Sequence, residues 1–157
     1  MGLLTTIQQA VADRLVADAF FSADPAIPVF TEQAKSSIQA IDDAESGSVP
    51  LSVSVMAATA AGALNQIRFG PSGRGKLHFE TIRVLVNCFE NPDMAAPLGL
   101  TAADLAEKAA WLLAGFAAAD NAPLMFEAIS ILPSKTLRAY QAVFTVSAGT
   151  ETEPQRI

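Results

Sequence analysis

The stretch LHFETIRVLVNCFE, residues 77–90, decides the fold. Ile82, Val84, Val86 and Cys88 fall on one side of a two-residue period, and Thr81, Arg83, Leu85, Asn87 and Phe89 on the other. That alternation predicts one long strand over Leu77–Glu90. Upstream, Leu51, Val53 and Val55 alternate with Ser52 and Ser54, which predicts a second half-buried strand beginning near Pro50. The cluster Gly70-Pro71-Ser72-Gly73-Arg74-Gly75 lies between the two and reads as a turn. Two strands flanking a glycine cluster predict a long antiparallel hairpin with its tip near 70–76. Residues 57–66 are ambiguous, because the alanines permit helix and Gly62 disfavours it.

Further out, Leu4, Ile7, Val11, Leu15 and Phe20 recur at helical spacing and predict an amphipathic helix over 3–20. Asp24-Pro25 and Pro28 end it, and Val29 and Phe30 fit a short extended piece. Ala34, Ile38 and Ile41 suggest a weak helix, or a polar turn, within Thr31–Ala44. After the long strand, Asn91-Pro92-Asp93 turns the chain. Thr101, with Asp104 three residues on, forms the capping-box pattern that opens a helix. Leu105, Ala109, Leu112, Leu113 and Phe116 make that helix's apolar stripe. Two more strands follow. Leu124–Leu132 is expected to place Met125, Glu127, Ile129 and Ile131 on one face. Leu137–Ser147 is expected to do the same with Arg138, Tyr140, Ala142, Phe144 and Val146. Strands that come in hairpins rather than singly between helices predict an α+β class. The expected architecture is a single domain over 1–149, an antiparallel-rich mixed β-sheet built from hairpins with helices packed on one face. Residues 150–157 form a polar C-terminal tail.

Composition narrows the function. The chain has 157 residues, 51% hydrophobic and only 17% charged, which excludes a disordered chain. Ten Lys and Arg against sixteen Asp and Glu give a net charge of −6, which argues against a cationic nucleic-acid binder. One cysteine, Cys88, excludes an intrachain disulfide, and one histidine, His78, excludes two-histidine zinc motifs. No basic residue precedes Arg14, so no secretory signal is expected, and polar residues interrupt the uncharged stretch Ser46–Ile67, so no membrane span is expected there. So little charge predicts surface covered in an assembly. The charge is missing from Ser46–Ile67 and from the helix segment Ala109–Ala119, and an interface is expected on one of them.

No motif argues for an enzyme. Gly70 to Lys76 satisfies G-x-x-x-x-G-K, but Leu77 stands where a phosphate loop needs Ser or Thr, and a strand follows where a helix is needed. His78 lacks a nucleophile context, and Cys88 is expected to be a small core residue. Asp42, Asp43 and Glu45 lack the spacing of a calcium loop and read as a solvated acidic loop. No catalytic, cofactor-binding or metal-ligating residue is assigned. Arg68, Arg74 and Lys76 make the hairpin tip locally positive in an acidic chain and suit an acidic neighbouring subunit. Trp111 and Phe116 are the remaining interface candidates, although helical spacing equally suits packing against the sheet.

The order of elements resembles a known family. An amphipathic helix leads to a strand reading Val53-Ser-Val55-Met56, then a loop. A long strand reading Ile82-Arg-Val84-Leu-Val86-Asn-Cys-Phe89-Glu-Asn-Pro92 comes next. A helix, a strand with Ile129-Ser-Ile131 and a last strand with Tyr140 and Val143-Phe144-Thr-Val146 complete it. Over roughly residues 3–147 this pattern is similar to the tail terminator proteins of long-tailed bacteriophages and related minor tail and head–tail completion proteins. The resemblance implies a non-enzymatic subunit of the virion tail, assembled in the bacterial host cytoplasm into a homo-oligomeric ring, usually a hexamer. It implies that the ring ends tail-tube polymerisation and gives the head connector a docking surface, with DNA only as passing cargo and no membrane. Two other readings remain: an anion- or small-molecule-binding α+β module using the 70–76 loop, and a tube-capping component of a phage-like secretion system.

Overall fold

The computed structural model describes residues 2–32, 34–47, 49–59, 65–69, 75–79, 81–118, 123–147 and 150–152. Helix α1 spans Leu3–Val16 and buries Ile7, Val11 and Leu15 on one stripe. It stops short of the expected end, because the Asp18 carboxylate accepts the Phe20 N–H and starts a separate short helix, α2, Ala19–Ser22. Strand β1 (Val29–Thr31) follows, then helix α3 (Ser37–Glu45), which begins where the Ser36 hydroxyl accepts the Gln39 N–H. Asp42, Asp43 and Glu45 therefore sit on a helix, not in the expected acidic loop. Strand β2 spans Leu51–Thr59, resolving the start of the ambiguous stretch as strand.

Residues 77–90 fall in two described strands, β4 (Gly75–Phe79) and β5 (Thr81–Glu90), and Glu80 between them lies outside the described residues. The expected long hairpin is present in two sections. β2 pairs antiparallel with β5 from Leu51↔Glu90 to Thr59↔Ile82, and β3 (Asn65–Phe69) pairs with β4 from Asn65↔Phe79 to Phe69↔Gly75. Between the sections one arm advances six residues and the other three, so the two ladders cannot share one register and belong to separate sheets. A one-turn 3-10 helix, Pro97–Gly99, precedes helix α4, Ala102–Leu113. Strands β6 (Met125–Leu132), β7 (Arg138–Ser147) and β8 (Thr150–Thr152) complete the chain. β8 pairs with β4, so the start of the expected tail is ordered as a strand.

The main sheet has the order β1-β2-β5-β7-β6. β1 runs parallel to β2, with α3 in the crossover that a parallel pair requires, and every other pair is antiparallel. The class is α+β with an antiparallel-rich mixed sheet. Val53 and Val55 of β2, Ile82, Val84, Val86 and Cys88 of β5, and Ala142, Phe144 and Val146 of β7 face one core. That core also takes the buried stripes of α1 and α4. The reverse face carries a smaller cluster in which Ala40 and Ala44 of α3 meet Phe89 and Ala139. The helices α1 and α4 thus share the expected face, and α3 adds to the other.

The sequence places the start of α4 correctly, where two devices fix it, but the helix ends at Leu113, so Phe116 lies beyond it rather than on its apolar stripe. Thr101 and Asp104 form the capping box, each side chain holding the other residue's backbone N–H. The buried Glu90 carboxylate, at the end of β5, accepts the Ala102 N–H at 3.0 Å and faces the Arg138 guanidinium at 3.6 Å. Glu90→Ala leaves that donor buried without its acceptor and is expected to cost about 1–3 kcal/mol in urea unfolding. Glu90→Gln keeps an acceptor and should lose less than about 1 kcal/mol, because Arg138 is largely exposed. Equal losses in the two variants would contradict this assignment.

Helix α3 is held to the preceding turn by Asp43. Lys35 Nζ and Gln39 Nε2 both donate to its carboxylate and, in that order, hold its pKa below the ordinary aspartate value. A depressed folded pKa gives a stabilising contribution that is present above the unfolded value and lost as pH falls through the folded one. An NMR titration of Asp43 should therefore show a lowered midpoint that returns towards the ordinary value in Lys35→Met.

Candidate assembly surface

On α4 the buried positions Ala102, Leu105, Ala106, Ala109 and Leu113 make one stripe. Trp111 lies two residues past Ala109, about 200° around the helix, and so points away from the core. It is 85% exposed. A side chain this large and apolar is seldom left in water unless a partner covers it.

The neighbouring strand extends the patch. β6 is the last strand of the sheet, and a bulge between Phe126 and Ala128 shifts its register against β7. Phe126 pairs with Phe144, Ile129 with Ala142 and Ile131 with Tyr140, so these three share the α4 side. Met125, opposite Thr145, falls on the reverse side, which corrects the expected grouping of Met125 with Ile129. The Phe126 ring leans on buried Phe144 with centroids 5.7 Å apart. Phe126 is 43% exposed and Ile131 70%. Between α4 and β6 runs a groove of about 600 Å³ lined by Glu107, Ala110, Trp111, Ala114, Phe126 and Ile129. Ala110 and Ala114 form its low floor, and the two aromatic rings form its walls. Glu107 borders it, and Glu127 is exposed on the same strand. Neither carboxylate has an ion-pair partner among the described residues.

The other proposed interface residues are placed differently. Phe116 is half-buried against the main core, with the Arg14 guanidinium 5.7 Å from its ring centroid. The structure therefore does not bring it together with Trp111 as one exposed stripe. Arg68 and Lys76 face each other as register partners in the β3–β4 ladder. Arg74 lies outside the described residues. The open β6 edge and Phe126 escape sequence reasoning. The available signal is that residues 125–132 contain neither lysine nor proline, the usual guards of an exposed edge.

Chemistry-bearing groups elsewhere are engaged or buried. Cys88 is fully buried in the core, and desolvation pushes its thiol pKa well up, so it stays protonated. The reverse sheet face holds a cavity of about 880 Å³ beside α3. Its amides satisfy each other, Gln141 Nε2 donating to Asn87 Oδ1 at 2.8 Å, and Glu45 accepts the Thr136 hydroxyl. Among the described residues no group of three His, Cys, Asp or Glu side chains gathers to hold a metal ion, and no helix is long and apolar enough to cross a membrane.

No family model matches the chain, and no curated protein sequence matches it. Its fold is similar to that of a chain in the solved virion of a native gene transfer agent (GTA) particle. The TM-score is 0.54 at 15% sequence identity, over 92% of this chain and 95% of the other. At that identity the likeness defines a shared fold, spanning nearly all of both chains.

Proposed function

We propose that this chain is a structural protein of a phage-like virion that caps the tail tube as a homo-oligomeric ring, a hexamer by its resemblance to tail terminators. The ring ends tube polymerisation and offers the head connector its docking surface. The observation that carries this reading is the end-to-end fold likeness to a GTA virion chain. The exposed Trp111–Phe126 groove and the open β6 edge support it, because a ring subunit needs surfaces that only its neighbours cover. The net charge of −6 suits a conduit through which DNA passes without adsorbing. The role needs no chemistry from the chain.

Tube length tests the reading. Tail-tube protein from the same gene cluster, polymerised with increasing amounts of this protein, should give progressively shorter tubes with a ring at one end by electron microscopy. An unchanged length distribution and bare tube ends would overturn it.

A further inference from the structure

We infer that the Trp111 indole of one subunit seats in the cavity beside α3, on the reverse sheet face of the next copy of this chain. The inference rests on the reading of the chain as a ring subunit and specifies its contact.

Helix α4 builds the projecting part. Trp111 stands on its outward side, 85% exposed. Its neighbours Ala110, Ala114 and Gly115 are small, so a second molecule can close around the indole. Glu107, one helical turn earlier, shares that side and has no ion-pair partner among the described residues. The other sheet face builds the recess. Ile41 of α3, Phe89 of β5, and Leu132 and Leu137 at the two ends of the β6–β7 turn give the cavity apolar walls. Its volume of about 880 Å³ lies within the range of about 300–1,000 Å³ typical of pockets that bury organic groups. It has room for the indole and part of the helical turn that carries it.

The polar groups match as well. Lys135 lines the cavity and has no ion-pair partner among the described residues, the opposite imbalance to Glu107. Glu45 lines it too. Its Oε1 accepts the Thr136 hydroxyl, and a carboxylate has acceptor capacity left for the indole N–H, which seeks a partner once buried. The Asn87 and Gln141 amides are bonded to each other. Position then decides the kind of contact. α4 packs on the core side of the sheet, and the cavity lies on the reverse side. A neighbour seated on one side leaves the other free for a third copy, so the contact is head-to-tail and closes into a ring if its rotation divides a full turn.

Trp111 is the sole tryptophan of the chain, so its fluorescence reports this contact in the full wild-type protein. On assembly, followed by light scattering, its emission should shift to shorter wavelength and its quenching by acrylamide should fall. Glu107→Lys and Lys135→Glu, both at exposed positions, should each weaken assembly about 10-fold while keeping the wild-type circular dichroism. An equimolar mixture of the two should assemble again as an alternating ring, because both of its contacts bring opposite charges together, and the variant carrying both changes should assemble by itself. A wild-type protein that assembles and caps tubes while Trp111 stays open to the quencher overturns the contact and leaves the capping reading standing. Burial of Trp111 that Lys135→Glu does not weaken, or that occurs only when tube protein is added, overturns the cavity of a second copy as its seat. A wild-type protein that neither assembles nor shortens tubes overturns both.

Discussion

Trp111→Ala is expected to yield a protein that folds normally and fails to assemble. The ring is 85% exposed in the isolated chain, so folding gains little from it. Alanine is also the better helix former at an exposed position of α4. The melting temperature should therefore stay close to that of wild type, as for most surface changes. Assembly should suffer differently. A buried interface tryptophan typically contributes about 2–4 kcal/mol, a factor of roughly 30–1,000 in dissociation constant. Each subunit of the proposed ring presents this groove once, so the loss recurs at every contact around the circle. Trp111→Phe retains an aromatic wall and should recover part of the affinity. Sedimentation over a concentration series separates these outcomes. Unchanged assembly in Trp111→Ala would remove the groove from the interface.

Phe144→Ala should have the largest effect on folding itself. Phe144 is fully buried among the β5, β7 and helix side chains, and it supports the Phe126 ring from below. Truncating a buried phenylalanine costs about 3–5 kcal/mol through lost transfer energy and a residual cavity. Domains of this size have a total stability of about 5–15 kcal/mol, so thermal unfolding should begin about 10 °C lower or more. Phe144→Leu fills most of the space and should lose much less. Assembly should weaken in Phe144→Ala even well below its melting temperature, because Phe126 loses its backing. A melting temperature within about 2 °C of wild type would contradict the core assignment.

The contrast between these two residues also shows what a sequence can disclose. The faces of β5 and β7 were readable because alternation is local. Ile82, Val84, Val86 and Cys88, and Tyr140, Ala142, Phe144 and Val146, lie on the core side as their period demands. The start of α4 was readable because Thr101 and Asp104 satisfy each other within one turn. The assignment of β3–β4 and β2–β5 to separate sheets was not, because it arises from a difference in register between the two ladders that no single segment shows. β8 has three residues, too few to show a period, and exists through its pairing with β4. The grouping of Met125 with Ile129 failed at a bulge, which inverts the side of every residue before it.

For the candidate site the limit is similar. Trp111 at helical spacing fits core and interface equally well. Only the position of Ala109 and Leu113 against the sheet turns it outward. Phe116, five residues on, meets the core instead. That β6 is an end strand follows from the order of the whole sheet, which no segment carries alone. The cationic residues of the hairpin were conspicuous in an acidic chain, whereas the opposition of Arg68 and Lys76 required the register.

Native mass spectrometry of the wild-type protein, alone and mixed with tube protein, tests the ring most directly. The subunit mass is 16.4 kDa, and the account predicts one closed species of six copies, with no ladder of higher masses. A monomer under both conditions, or an open series of ever larger assemblies, would contradict it.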